Sequence, residues 1–267
     1  MSGSRSVNAL NQEADQAAAA SPGYVIVVDA DNTLWDTNEV FARAQLRLLE
    51  EAEQATGRMC PATDRLEFVR SYDQAIALKH HLHLKYPAQL LVAAIGAGLC
   101  GTDPAIAAEL AIRGRPLPHK LSEPQVSDLL AAYTQALTDT PALLPTVREA
   151  LELARSRGVP VFVMTEGKLE RQRRSLTVHG LAQFVSSIWE MPKTAAQFER
   201  LRQRFTQTEV VVIGDQLDRD IVPAHRAGCK TVLVPGRFRP RWDDQDARVA
   251  DHVASTLLEA VEWAAKR

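Results

Sequence analysis

Short, continuous apolar runs recur along the chain, each ending in polar residues, and between them lie segments with helical spacing. The first run is Tyr24-Val25-Ile26-Val27-Val28, rich in β-branched residues. A run with no polar alternation suits a parallel strand buried on both faces. From about Asn38 to Pro141 the pattern is helical throughout. Phe41, Ala44, Leu48 and Ala52 share one helical face, as do Leu66, Val69, Ala75 and Ile76. Pro87, Pro104 and Ser122 with Pro124 mark further helix starts, and Arg113 to Pro118 reads as a loop. After Pro145 the alternation resumes. A helix runs to Gly158, Val161–Met164 forms a strand, and a helix extends from Leu169 towards Gly180. A weaker strand at Val185–Trp189 precedes a helix over Thr194–Phe205. The strand Val210–Ile213 leads through a polar turn and a short helix into the strand Thr231–Val234, and a last helix begins near Ser255. Such alternation predicts an α/β fold: a doubly wound parallel sheet with right-handed crossovers. The predicted organisation is a leader over residues 1–20, an α/β core over 21–37 and 141–267, and a helical insertion over 38–140.

Composition narrows the function. Of 267 residues 46% are apolar and 24% charged, ample for a core, and the formal net charge of −2 argues against a nucleic-acid surface. No apolar run is long enough to span a bilayer. The leader, with its Ala17 to Ala20 run, lacks the basic and apolar blocks of a signal peptide. Cys60, Cys100 and Cys229 have no ligand spacing and cannot all pair, which favours a reduced, cytoplasmic setting. The pattern carries no signal for oligomeric state.

The chemistry gathers where the strands end. Asp29 and Asp31 follow the first strand, Thr165 the second; Lys193 follows the weaker strand, and Gly214-Asp215 end the next. In a parallel sheet these ends share one edge, where ligands bind. Singly, each has a plain structural reading: Asp29 and Asp31 as a turn, Asp215 as a helix N-cap, Lys193 as a surface lysine. Jointly they resemble the four motifs of the haloacid dehalogenase (HAD) superfamily. Asp29-Ala30-Asp31-Asn32-Thr33 is similar to DxDxT, and Met164-Thr165-Glu166-Gly167 to the second motif. Lys193 is similar to the third, and Gly214-Asp215 through Asp220 to GDxxxxD. Asn32 stands where Gly is commoner, and Asn tolerates a left-handed turn.

The resemblance implies a Rossmannoid core with a C1-type helical cap and a Mg²⁺-dependent phosphatase acting on a small-molecule phosphomonoester. Asp29 would be the nucleophile and form an aspartyl-phosphate. Asp31 would be general acid and base, which distinguishes phosphate chemistry from halide displacement. Asp29, Asp215 and the backbone carbonyl of Asp31 would hold Mg²⁺. Lys193 would balance the carboxylates, the Thr165 hydroxyl would donate to the phosphoryl group, and Asp220 would support Lys193 or a metal-bound water. A phosphomutase with the same residues, or a HAD-fold binding protein without turnover, are the alternatives. In the insertion, Lys79, His83 and Arg113 are candidate grips for an anionic substrate group; the plainer reading is solvated helix ends, where cations meet a favourable dipole.

Overall fold

The computed structural model describes residues 23–118, 121–241, 243 and 246–266. The expected leader lies outside them, as do positions 242, 244 and 245. The described residues divide into two compact units, one falling within 1–37, 140–239 and 243–267, the other within 38–139 and 240–242.

The first unit is built on a six-stranded parallel sheet. Its strands are β1 (Tyr24–Val28), β2 (Val161–Thr165), β3 (Ser187–Glu190), β4 (Glu209–Gly214), β5 (Lys230–Leu233) and β6 (His252–Val253), in the order β3-β2-β1-β4-β5-β6. The unbroken apolar run of β1 follows from burial on both faces. Ile26 and Val28 pack into one cluster with Val163, Val211 and Ile213. That cluster is closed by the apolar faces of α6 (Val147–Ser156) and α10 (Leu257–Ala264). Val25 and Val27 pack into the opposite cluster with Phe162 and Val212, beneath α8 (Ala195–Arg204) and α9 (Val222–Arg226). Helices on both faces of a parallel sheet complete the doubly wound α/β fold. Gly158, at φ +68°, ends α6 in the left-handed conformation expected of a C-terminal glycine.

Register decides which side chains meet. Val28 is opposite Val163 on β2 and Ile213 on β4, while Thr165 is opposite Glu190 on β3. Asp29, Thr165 and Asp215 therefore leave the sheet along one edge. Asn32 takes φ +61°, and its N–H donates to the Trp35 carbonyl at 2.8 Å, so the chain turns back directly after the first motif.

The second unit is helical: α1 (Thr37–Thr56, entering from the first unit), α2 (Arg65–Lys79), α3 (Ala88–Gly98), α4 (Pro104–Ile112) and α5 (Glu123–Ala136). Leu48, Leu49, Ala52, Val69, Ile76, Leu91 and Ile95 are fully buried in its core. Asp103 caps α4 by accepting from the Ala105 and Ile106 N–H groups, and Ser122 with Gln125 forms a capping box on α5. One expectation needs correction, and one strand was not anticipated. Phe41 is 39% exposed, because the buried stripe of α1 runs through Val40, Ala44, Leu48 and Ala52. β6 carries no readable signal, because two residues are too few for any periodicity. Among the described residues no helix is long and apolar enough to cross a membrane.

Candidate active site

Asp29 extends β1, its N–H donating to the Ile213 carbonyl at 2.8 Å, and its side chain is only 5% exposed. Lys193 lies just ahead of α8, whose first turn is capped by Thr194 accepting from the Gln197 N–H. The Lys193 ammonium, also buried, hydrogen-bonds Asp29 Oδ1 and lies 2.6 Å from Asp220 Oδ1. Asp220 comes from a π-helical turn over Leu217–Ile221, a widened turn of the kind that gathers at functional sites. Its Oδ2 accepts from the Gln216 N–H at 3.1 Å. The fit depends on Gly214, since a Cβ there would overlap the Asp220 carboxyl group.

Carboxylate oxygens of Asp29, Asp215 and Asp220 all lie within 4.8 Å of one another. Three buried carboxylates against one ammonium leave an excess of negative charge. Burial pushes the Asp29 carboxyl up to about 7, with Asp220 and Asp31 adding to the rise and Lys193 opposing it. Asp215 is raised well above the carboxylate range by burial and by Asp29 and Asp220. Burial opposes the charge on Lys193, yet Asp220 and Asp29 outweigh it and hold the ammonium protonated. Asp215 Oδ1 is buried with no hydrogen-bond partner among the described residues. Excess charge, hard oxygen donors and an orphaned carboxylate oxygen together fit a small divalent cation.

Asp31 and Thr165 lie at the same sheet edge as this cluster. Asp31 points to α7 (Leu169–Val178) and the start of α1. Its Oδ1 accepts from Arg171 Nη2 and Thr37 Oγ1, both at 2.6 Å, and its Oδ2 accepts from Gln172 Nε2 at 2.8 Å. Asp220 rather than the Asp31 carboxylate stands beside Asp29 and Asp215. The Thr165 hydroxyl is fully buried and accepts from the Gly167 N–H at 2.9 Å. In the helical unit, Lys79 Nζ pairs with Glu109 Oε2 at 2.9 Å and Arg113 Nη2 with Glu109 Oε1 at 3.2 Å. Both cations are thus committed to one carboxylate, which they hold below its usual range. His83 is exposed, at φ +50°.

Sequence reasoning passed over Arg171, Gln172, Glu166 and Arg219. Glu166 accepts from the Lys193 N–H at 3.1 Å and from Arg219 Nε and Nη2 at 3.0 and 2.6 Å, tying three strand ends together. Arg171 and Gln172 stand in a helix whose charged, polar run reads as solvated surface. The one available signal was their place in the first turn after the second motif.

A parallel sheet delivers buried carboxylates, an ammonium and a hydroxyl to one edge, where α/β enzymes bind their ligands. The chain belongs to the haloacid dehalogenase-like hydrolase family, whose pattern it matches over residues 25–228. It is 28% identical over 166 residues to a ribulose-1,5-bisphosphate 5-phosphatase of Halopiger xanaduensis, covering 55% of this chain and 69% of that protein. Its fold is similar to that of YfnB from Bacillus subtilis, solved bound to magnesium (TM-score 0.59, 17% identity, 90% of this chain and 97% of that one). A haloacid dehalogenase-like family hydrolase from Xanthomonas campestris matches with a TM-score of 0.59 and 17% identity, over 92% of this chain and 91% of that one.

Proposed function

We propose that this hydrolase is a phosphatase that cleaves a small-molecule phosphomonoester through an aspartyl-phosphate on Asp29. The observation that carries the reading is the buried set of Asp29, Asp215 and Asp220 around the Lys193 ammonium, with an orphaned oxygen on Asp215. The Halopiger relative, named as a phosphatase, supports the same reaction class. Asp29, Asp215 and Asp220 would hold Mg²⁺, with the Asp31 backbone carbonyl a further oxygen. When bound, the cation offsets the excess charge of the cluster and stabilises the phosphoryl oxygens.

Asp29 attacks phosphorus as the ester P–O bond breaks, and Asp31 gives its proton to the departing alkoxide. Asp31, now ionised, takes a proton from the water that attacks phosphorus. The P–O bond to Asp29 breaks, and inorganic phosphate leaves. Lys193 offsets charge on Asp29 throughout, and the Thr165 hydroxyl donates to the phosphoryl group. The helical unit is the cap of this reading, and the free thiols of Cys60, Cys100 and Cys229 suit a cytoplasmic setting.

The test is phosphate release from a panel of sugar phosphates, nucleotides and simple esters with Mg²⁺, comparing the native chain with Asp29→Asn. Release that disappears in the variant is expected. Equal rates would remove the proposal, and transfer of phosphate to a second sugar in place of release would make the enzyme a phosphomutase.

A further inference from the structure

Gln172 is fully buried on α7, an unusual place for an amide unless its hydrogen bonds serve a purpose. Its two N–H groups are both used. Nε2 is 2.8 Å from Asp31 Oδ2 and 3.3 Å from Thr165 Oγ1. The opposite amide orientation would set a carbonyl oxygen against the Asp31 carboxylate, so the donor assignment follows from the chemistry. Its own Oε1 is buried without a partner among the described residues. An apolar side chain would avoid that cost, so packing alone does not explain a glutamine here.

The neighbouring backbone is shaped to the same contact. A Cβ on Gly167 would come within 2.6 Å of Gln172 Nε2, 2.9 Å of Asp31 Oδ2 and 3.2 Å of Thr165 Oγ1. Only glycine leaves room for the three groups to meet.

The consequence falls on Asp31. A carboxylate offers about four lone-pair positions. Arg171 and Thr37 occupy two on Oδ1 and Gln172 occupies one on Oδ2, which leaves a single position on Oδ2 for a transferable proton. Thr165 Oγ1 likewise accepts from both Gly167 and Gln172, so its own proton is left to point elsewhere.

We propose that Gln172 is a positioning residue that selects the Asp31 oxygen and lone pair from which the leaving group is protonated. The inference rests on the phosphatase reading. In the step concerned, the ester P–O bond breaks, the alkoxide takes the proton on Asp31 Oδ2, and Asp31 is left as the carboxylate.

Leaving-group dependence separates this role from a structural one. An alkyl phosphate needs its alkoxide protonated, whereas p-nitrophenyl phosphate releases a stable phenolate without help. The experiment compares kcat/KM, which reports the step of leaving-group departure, for p-nitrophenyl phosphate and for the alkyl ester that the native enzyme hydrolyses fastest. Gln172→Leu and Gln172→Met keep about the same volume and remove the donors. Both variants should lose roughly 10²-fold on the alkyl ester, within the range of general acid catalysis, with a loss on the aryl ester at least about tenfold smaller. Unchanged melting temperatures would show that the fold is intact. Equal losses on the two esters, or no loss on the alkyl ester, would overturn the assignment while leaving the phosphatase reading in place. A native enzyme that hydrolyses neither ester would remove both.

Discussion

Stripping divalent cations from the protein and returning Mg²⁺ at a series of pH values probes the charge balance of the buried cluster. Burial lifts the Asp29 carboxyl from 3.8 to about 7. A carboxyl raised in the folded state binds a proton that the unfolded chain has already released. Its stabilising effect is therefore full below pH 3.8 and is lost as pH climbs through about 7. The gap between those values corresponds to roughly 4 kcal/mol, an upper bound for one carboxyl. Cations compete with that proton, because the ligating carboxylates must be ionised. Mg²⁺ affinity should consequently weaken as pH falls through about 7, about tenfold per pH unit for each proton displaced. Urea denaturation with EDTA and with saturating Mg²⁺, from pH 5 to pH 8, measures both effects. The expected result is a cation-free protein that loses stability as pH rises and a Mg²⁺ increment that grows with pH. Asp29→Asn should flatten the cation-free profile. Cation-free stability that increases through this window, or an equal Mg²⁺ increment at both ends, would refute the reasoning.

Two further substitutions test the packing beneath the site. Gly214→Ala sets a methyl group against the Asp220 carboxyl, so it should destabilise by about 1–3 kcal/mol and weaken Mg²⁺ binding, read by denaturation and calorimetry; unchanged binding would separate Asp220 from the cation. Phe162, fully buried, stacks on Trp189 with ring centroids 4.9 Å apart and contacts Phe205 at 5.4 Å. Phe162→Ala should cost about 3–5 kcal/mol in urea denaturation, and a loss under 1 kcal/mol would show that the cluster collapses to fill the space.

Much of the core was legible because the central strands are buried on both faces, so Val25 to Val28 and Val210 to Ile213 stand out as unbroken apolar runs. The motif residues were legible because they follow those runs directly. What stayed hidden depends on contacts between distant segments. Gln172 and Arg171 meet Asp31 across some 140 positions, and nothing local distinguishes them from the solvated residues around them. Asp220 could be placed near Lys193 by its resemblance to the fourth motif, but its approach to Asp29 and Asp215 depends on the π-helical turn, which has no sequence pattern of its own. Lys79 and Arg113 look like free cations in the sequence; Glu109 meets Arg113 one turn along α4, but reaches Lys79 only once α2 and α4 pack together.

The central claim, that the strand-end cluster makes Asp29 the group that accepts phosphorus, is tested most directly by trapping the acceptor. The enzyme is mixed with Mg²⁺ and a phosphate ester that it turns over, quenched in acid, digested and mapped by mass spectrometry. A phosphoryl group on the peptide at Asp29, absent from Asp29→Asn, is the predicted result. A phosphoryl group on any other residue, or full turnover by Asp29→Asn, would contradict the account.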